Sequence, residues 1–77
     1  MENFTGLFTE KPLYEVFISK YREGERYGVS VVWRGERAII TDITSKKEDI
    51  ADLIQRLRRG NVLPSVLRDV VEDWLER

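Results

Sequence analysis

The chain offers few side chains that could perform covalent or acid–base chemistry. It contains no His and no Cys, which excludes imidazole catalysis, thiolate chemistry, disulfides and nearly all zinc sites. Ser, Thr, Tyr and Lys remain as nucleophiles, but none lies in a Gly-x-Ser-x-Gly elbow, a phosphate-binding glycine loop or a dinucleotide fingerprint. We therefore predict that the protein is not an enzyme.

The carboxylates are the other candidates for chemistry. Glu23, Glu25, Glu36 and Asp42 could pair for acid–base work, but three of them lie in or beside predicted hairpin turns, where solvent weakens the coupling that such work needs. Two acid-rich sets on predicted helices carry only oxygen ligands and lack EF-hand spacing; they are Glu48-Asp49-Asp52 and Asp69-Glu72-Asp73. We predict no metal ion and no cofactor.

Three segments rich in Val, Ile and aromatic residues predict strands; they are Leu13 to Arg22, Tyr27 to Arg34 and Arg37 to Ile43. A Gly at the first central position suits a type II′ hairpin turn. We therefore predict a meander whose turn pairs are Gly24-Glu25 and Gly35-Glu36. In this register Glu23 faces Arg26, Ile18 faces Val31, Val16 faces Trp33, Arg34 faces Arg37, Trp33 faces Ala38, and Val31 faces Ile40.

Alternation along these strands separates an apolar sheet face from a mixed one. The predicted core face holds Tyr14, Val16, Ile18, Val29, Val31, Trp33, Ala38 and Ile40. The opposite face, predicted to be open, holds Glu15, Phe17, Ser19, Tyr21, Ser30, Val32, Arg34, Arg37, Ile39 and Thr41.

Two helices are predicted after the strands. Ser45 and Glu48 form a capping box at the start of the first, and Gly60 is its predicted left-handed C-terminal residue. Pro64 suits the first turn of the second helix. The apolar stripes are Ile50, Leu53, Ile54 and Leu57 on the first helix, and Val66, Leu67, Val70, Val71, Trp74 and Leu75 on the second. The predicted fold is α+β, with the order β-β-β-α-α and both helices on one face of the sheet.

A length of 77 residues allows one small domain. Residues 11–77 form the predicted domain and residues 1–10 a loosely packed arm. No apolar run approaches the ~20 residues of a membrane span, and no signal-peptide pattern is present. We therefore expect a cytoplasmic protein that makes no membrane contact.

The predicted open face carries an apolar stripe of Phe17, Val32 and Ile39. Such a stripe favours a protein–protein interaction or regulatory module, with a homodimer as one form. An equally good interpretation is that Phe4, Leu7 and Phe8 of the arm cover the stripe. The free edges of the first and third strands provide a second route, by strand addition. The outer ridge Asp69, Glu72 and Asp73 could dock a basic partner.

An accessory nucleic-acid-binding role is the alternative. Arg34 and Arg37, predicted to face each other beside Tyr21 and Phe17 with Glu15 next to Arg34, are typical of single-strand platforms. The run Arg56, Arg58 and Arg59 would add positive charge. However, the net charge is -1 and the pI is about 5.4, whereas phosphate affinity depends on summed basic charge. Nucleic acid is therefore the less favoured partner.

Two stretches resemble a family of short bacterial proteins, mostly from Clostridia and relatives, classed as a domain of unknown function. One is Tyr27-Gly28-Val29-Ser30-Val31 with Thr41-Asp42-Ile43-Thr44. The other is Asn61-Val62-Leu63-Pro64 with the helix Val66 to Leu75. The resemblance covers roughly Leu13 to Leu75 and implies a small cytoplasmic bacterial protein. It implies no activity, cofactor or catalytic residue.

Overall fold

A computed structural model describes residues 11–76, which form a three-stranded antiparallel sheet followed by two helices. The predicted α+β fold with the order β-β-β-α-α is confirmed. The arm predicted at residues 1–10 lies outside the described residues. The elements are β1 (Leu13–Tyr21), β2 (Gly24–Trp33), β3 (Glu36–Thr44), α1 (Lys47–Arg59), a 3-10 turn (Pro64–Val66) and α2 (Leu67–Leu75), with the strands adjacent in chain order.

Both hairpin turns lie earlier in the chain than predicted. The second loop is Arg34-Gly35, not Gly35-Glu36, and both of its residues have positive φ, 50° and 83°. This is the backbone of a type I′ turn, which matches the right-handed twist of the flanking strands. The first loop is residues 22–23, not 24–25. Gly24, which follows this loop as the first residue of β2, has a positive φ of 137°.

The strand register is shifted accordingly. Ile18 pairs with Tyr27 instead of Val31, and Val16 pairs with Val29 instead of Trp33. In the second hairpin the observed pairs are Val31–Ala38 and Trp33–Glu36. Because both shifts are by an even number of residues, the paired strand residues keep their predicted faces.

The helices cover only part of the predicted core face. Tyr14, Val29 and Val31 are buried there, and Ala38 and Ile40 pack against the same cluster. Three other residues of this face lie outside the cluster: Val16 and Ile18 are exposed, and Trp33 is half-buried. Val16 and Ile18 pair with Val29 and Tyr27 of the central strand, which are both buried. The helices therefore cover the middle of the sheet at this level and leave the β1 edge open.

The helices contribute their apolar stripes to the core largely as predicted. All four stripe residues of α1 are buried, as are Leu67, Val71 and Trp74 of α2, and Val70 is half-buried. The prediction is wrong for Val66 and Leu75, which are exposed. Val66 belongs to the 3-10 turn, where the helical period of 3.6 does not apply, and Leu75 is the last residue of α2.

Thr44, not Ser45, organises the start of α1. The N-cap position is Lys46, which provides no side-chain cap. The Thr44 hydroxyl accepts a hydrogen bond from the Lys46 backbone N–H at 3.2 Å and donates one to the Asp49 carboxylate at 3.3 Å. The predicted capping box of Ser45 and Glu48 is therefore replaced by a contact that begins one residue earlier.

Asn61, not Gly60, is the left-handed residue that ends α1. Its φ is 49°, whereas Gly60 has a φ of -91°. The Val62 N–H donates to the Leu57 carbonyl at 3.1 Å, and the Asn61 N–H donates to the Arg58 carbonyl at 3.2 Å. These two bonds form a Schellman motif, which reverses the chain towards α2.

A bulge in β3 interrupts the second hairpin beside Gly28. Val29 pairs with Ile40, but Tyr27 pairs with Thr44, so three β3 residues lie opposite one residue of β2. Asp42 within the bulge has a φ of 57°. A Cβ atom on Gly28 would lie 2.6 Å from the Thr41 Cα. Only glycine leaves room for this approach.

Candidate functional site

Four apolar side chains share the sheet side that faces away from the helices. Leu13 and Ile39 are 57% and 44% exposed, and Phe17 and Val32 are half-buried. Phe17 pairs with Gly28 on the central strand, and Ile39 pairs with Ser30. These four residues, called the outer sheet face below, include the predicted stripe of Phe17, Val32 and Ile39. Leu13 completes the surface, although the sequence analysis did not single it out.

Ser30 lies at the centre of this side of the sheet and is fully buried. Its hydroxyl has no hydrogen-bond partner in the part of the chain that the structure describes. A buried hydroxyl without a partner carries a desolvation cost. Ser30 and Gly28 are also small, so the side chains of the two outer strands stand above the middle of β2.

The exposed apolar residues concentrate on β1. Of the seven large hydrophobic residues that are exposed among residues 11–76, four lie on this strand: Leu13 at 57%, Val16 at 43%, Ile18 at 56% and Tyr21 at 48%. They point to both faces of the sheet. Among residues 11–76, no strand pairs with the outer edge of β1. The sequence pattern predicts Val16 and Ile18 as core residues, because alternation identifies a face but not how far the helices cover it.

The opposite edge of the sheet, formed by β3, is interrupted by the bulge, and hydrogen bonds to Asp42 hold that bulge in place. The Tyr21 hydroxyl donates to the Asp42 carboxylate at 2.8 Å, and the Arg26 guanidinium donates to the Asp42 carbonyl at 3.0 Å. The hydrogen bond to Asp42 raises the pKa of Tyr21 above its usual value of 10.0, as do desolvation and the charge of Asp42. Asp42 therefore holds the β3 bulge in place instead of pairing with another carboxylate.

The predicted opposition of Arg34 and Arg37 is wrong. Arg34 lies in the second hairpin turn, where its guanidinium stacks 4.5 Å from the centroid of the Trp33 ring. Arg37 pairs with Val32. Tyr21 pairs with Gly24 at the far end of the sheet, so it does not lie beside Arg34.

Glu15 pairs with Ser30, so it is not the neighbour of Arg34.

The basic residues of α1 point in different directions. Arg58 lines a hollow with Lys11, Leu13 and Tyr14, which places it at the same sheet end as Arg34 and Arg37. Arg56 instead forms an ion pair with Asp52 at 3.0 Å and lines a hollow with Trp74. Arg59 is exposed. The structure therefore separates Arg56 from Arg58, Arg34 and Arg37.

The acidic ridge of α2 is exposed at all three predicted positions, Asp69, Glu72 and Asp73. Trp74 lies on the opposite side, is buried, and donates from Nε1 to the Asp52 carboxylate at 3.1 Å. Trp74 is thus core as predicted, whereas Trp33 is not part of the core cluster.

The described surface has shallow hollows. Four of them have volumes between 180 and 260 Å³, below the ~300–1,000 Å³ typical of small-molecule pockets. Within residues 11–76, no three acidic side chains converge where they could hold a metal ion. No helix in this part of the chain is long and apolar enough to cross a bilayer.

Comparisons with curated proteins and with solved structures found no match in either set. One protein family does match, over residues 1–77. That family is DUF6514, described as a family of unknown function. Because the match covers the whole sequence, the resemblance seen in the strands and in the second helix is confirmed at the level of the family. The chain belongs to DUF6514.

Proposed function

We propose that this domain is a non-enzymatic protein-interaction module that binds a partner protein through the outer sheet face. The exposure of Leu13 and Ile39 beside half-buried Phe17 and Val32 carries the proposal. These four residues face away from the helices, so they do not contribute to the core between sheet and helices. Apolar side chains grouped on a surface are typical of protein interfaces.

Charges at the two sides of this face specify the partner. Glu15 on β1 and Arg37 on β3 are both exposed and share the outer side of the sheet. A matching partner therefore presents an apolar patch with a basic group towards β1 and an acidic group towards β3. Three strands of about nine residues span roughly 30 Å by 15 Å, which is enough for a small interface.

The test compares two exposed positions that lie on different surfaces. Ile39→Lys places a charge on the outer sheet face, whereas Val66→Lys places the same charge on the 3-10 turn, where Val66 is 42% exposed. Tagged wild type and both variants are used to capture proteins from a lysate. We expect one protein that wild type and Val66→Lys retain and Ile39→Lys loses. If all three chains retain the same proteins in equal amounts, the outer sheet face is not the binding surface.

Nucleic-acid binding is the second candidate, and the basic end of the sheet favours it. Arg34 stacks on Trp33 at that end, and Arg37, Lys11 and Arg58 lie nearby. Single- and double-stranded probes at low salt test it, with Arg34→Ala as the variant and Arg56→Ala as the control. We expect the affinity for the probes to fall steeply with salt. We also expect Arg34→Ala to lose binding and Arg56→Ala to keep it. Absence of binding to both probes at low salt would remove this candidate.

A further inference from the structure

We infer that β1 is a self-association strand: two copies of the chain pair antiparallel along their β1 edges, with Phe17 at the two-fold axis, to form one six-stranded sheet. This inference does not rest on the proposed function: it requires the hydrogen-bonding edge of β1, whereas the proposed function requires the outer sheet face, to which Leu13 and Phe17 also belong. The residue pattern of β1, which complements itself, makes a second copy of this chain the occupant of the edge.

The regularity of β1 makes it a ready template for another strand. It pairs with β2 at every position from Leu13 to Tyr21, without a bulge. An edge strand presents its outward N–H and C=O groups to any chain that can pair with them. Natural sheets usually block such an edge with bulges, proline or charges. The β3 edge has such a bulge, locked by Asp42, whereas β1 carries exposed Val16 and Ile18 at its centre.

The residue pattern of β1 complements itself in one register. With Phe17 at the axis, Val16 of one copy lies opposite Ile18 of the other, and Leu13 lies opposite Tyr21. All four of these side chains are 43–57% exposed in the single chain. Glu15 then faces Ser19, so no like charges oppose each other across the pair.

Neighbouring registers lack this match. A shift of the axis to Ile18 would place Val16 opposite Lys20, and a shift to Val16 would place Leu13 opposite Ser19. Pairing about Phe17, like pairing about either neighbouring residue, brings residues of equal parity together. Alternate residues of an edge strand direct their backbone groups outwards, so the outward groups of one copy meet those of the other.

A single engineered thiol tests the register directly, because the natural chain has no cysteine. In Phe17→Cys the two Cα atoms would lie about 4.5–5.5 Å apart across the two-fold axis, within the ~4.4–6.8 Å range of disulfides. Ile39→Cys, on β3, is the control. Stacking of two outer sheet faces would separate the sheets by about 10 Å, which is too far for either thiol to bridge. We expect oxidation to give a covalent dimer with Phe17→Cys and not with Ile39→Cys.

Sedimentation equilibrium over a wide concentration range provides the second measurement. We expect wild type to dimerise, and Ile18→Lys to raise the dimer dissociation constant about tenfold or more. Val66→Lys and Ile39→Lys should dimerise like wild type. If wild type stays monomeric throughout, or if Ile18→Lys dimerises equally well, the inference is overturned. Since Ile39→Lys tests the proposed function and Ile18→Lys tests self-association, failure of one leaves the other standing.

Discussion

Replacing Gly28 with alanine tests the account of the β3 bulge. The new Cβ atom would lie 2.6 Å from the Thr41 Cα, and closer still to the Ile40 carbonyl oxygen. Non-bonded carbon atoms normally approach to about 3.5 Å, so the overlap with Thr41 is about 0.9 Å. The obstructing atoms belong to the backbone, and a change of side-chain rotamer cannot move them away.

The expected cost follows from this overlap. Overpacking typically costs about 1–3 kcal/mol when side chains can adjust. Because relief at Gly28 requires the bulged segment of β3 to move, we expect a loss of about 3 kcal/mol in the free energy of unfolding. A domain of this size has a total stability of about 4–12 kcal/mol. The Gly28→Ala protein should therefore be much less stable than wild type.

Urea denaturation monitored by tryptophan fluorescence provides the measurement, since Trp74 is buried in the core. Gly60→Ala is the matched control: its φ is -91°, and the nearest contact of an added Cβ is 3.4 Å. That change should alter stability by about 0.5 kcal/mol or less, or increase it slightly. If Gly28→Ala and Gly60→Ala differ by less than about 0.5 kcal/mol, the reasoning about the bulge is refuted.

Four further predictions concern three other buried or strained positions. Tyr14→Phe removes the hydrogen bond to the Val62 carbonyl at 3.0 Å and should cost about 1–3 kcal/mol in urea denaturation; an unchanged midpoint would contradict it. Burial raises the pKa of Tyr14 above 10.0, so wild-type stability should be intact below about pH 10 and fall as pH rises through the raised pKa, less steeply in Tyr14→Phe. Ser30→Ala removes a buried hydroxyl that has no hydrogen-bond partner among residues 11–76, so thermal melting should show equal or higher stability, and a clear loss would mean that the hydroxyl is bonded. Asn61→Ala should lose about 1 kcal/mol because Asn61 has a φ of 49°, whereas Asn61→Gly should not; equal losses would contradict the left-handed cap.

The predicted sheet faces survived a wrong register because strand alternation has a period of two. The turn prediction depended on glycine at the first central position, whereas Arg34 adopts a φ of 50° and shares a type I′ turn with Gly35. Strand twist across the hairpin selects that turn, and twist cannot be read from residue types. The misplaced loops moved pairing partners along the strands but left Tyr14, Val29 and Val31 in the core.

The predictions about the site also differ in outcome: those that depend on the sheet face are confirmed, and those that depend on exact pairing are wrong. Phe17, Val32 and Ile39 share one face as predicted, since both register shifts are by an even number of residues and leave the faces unchanged. The pairing of Arg34 with Arg37 failed, since pairing depends on the loop position. The β1 edge was underestimated because Val16 and Ile18 look like core residues in the sequence, whereas the helices cover their partners Val29 and Tyr27 on β2 but do not extend over β1.

The sequence by itself determined the order of the elements, the apolar face of the sheet and the buried stripe of α1, because these follow from local periodicity. Tertiary structure decided what periodicity cannot encode. The close approach of β3 to Gly28 and the polar lock on Asp42 depend on how the strands pair, and the exposure of Val16 and Ile18 depends on how far the helices extend across the sheet. Both are contacts between elements that are distant in the sequence, so only the assembled sheet and helices decide them.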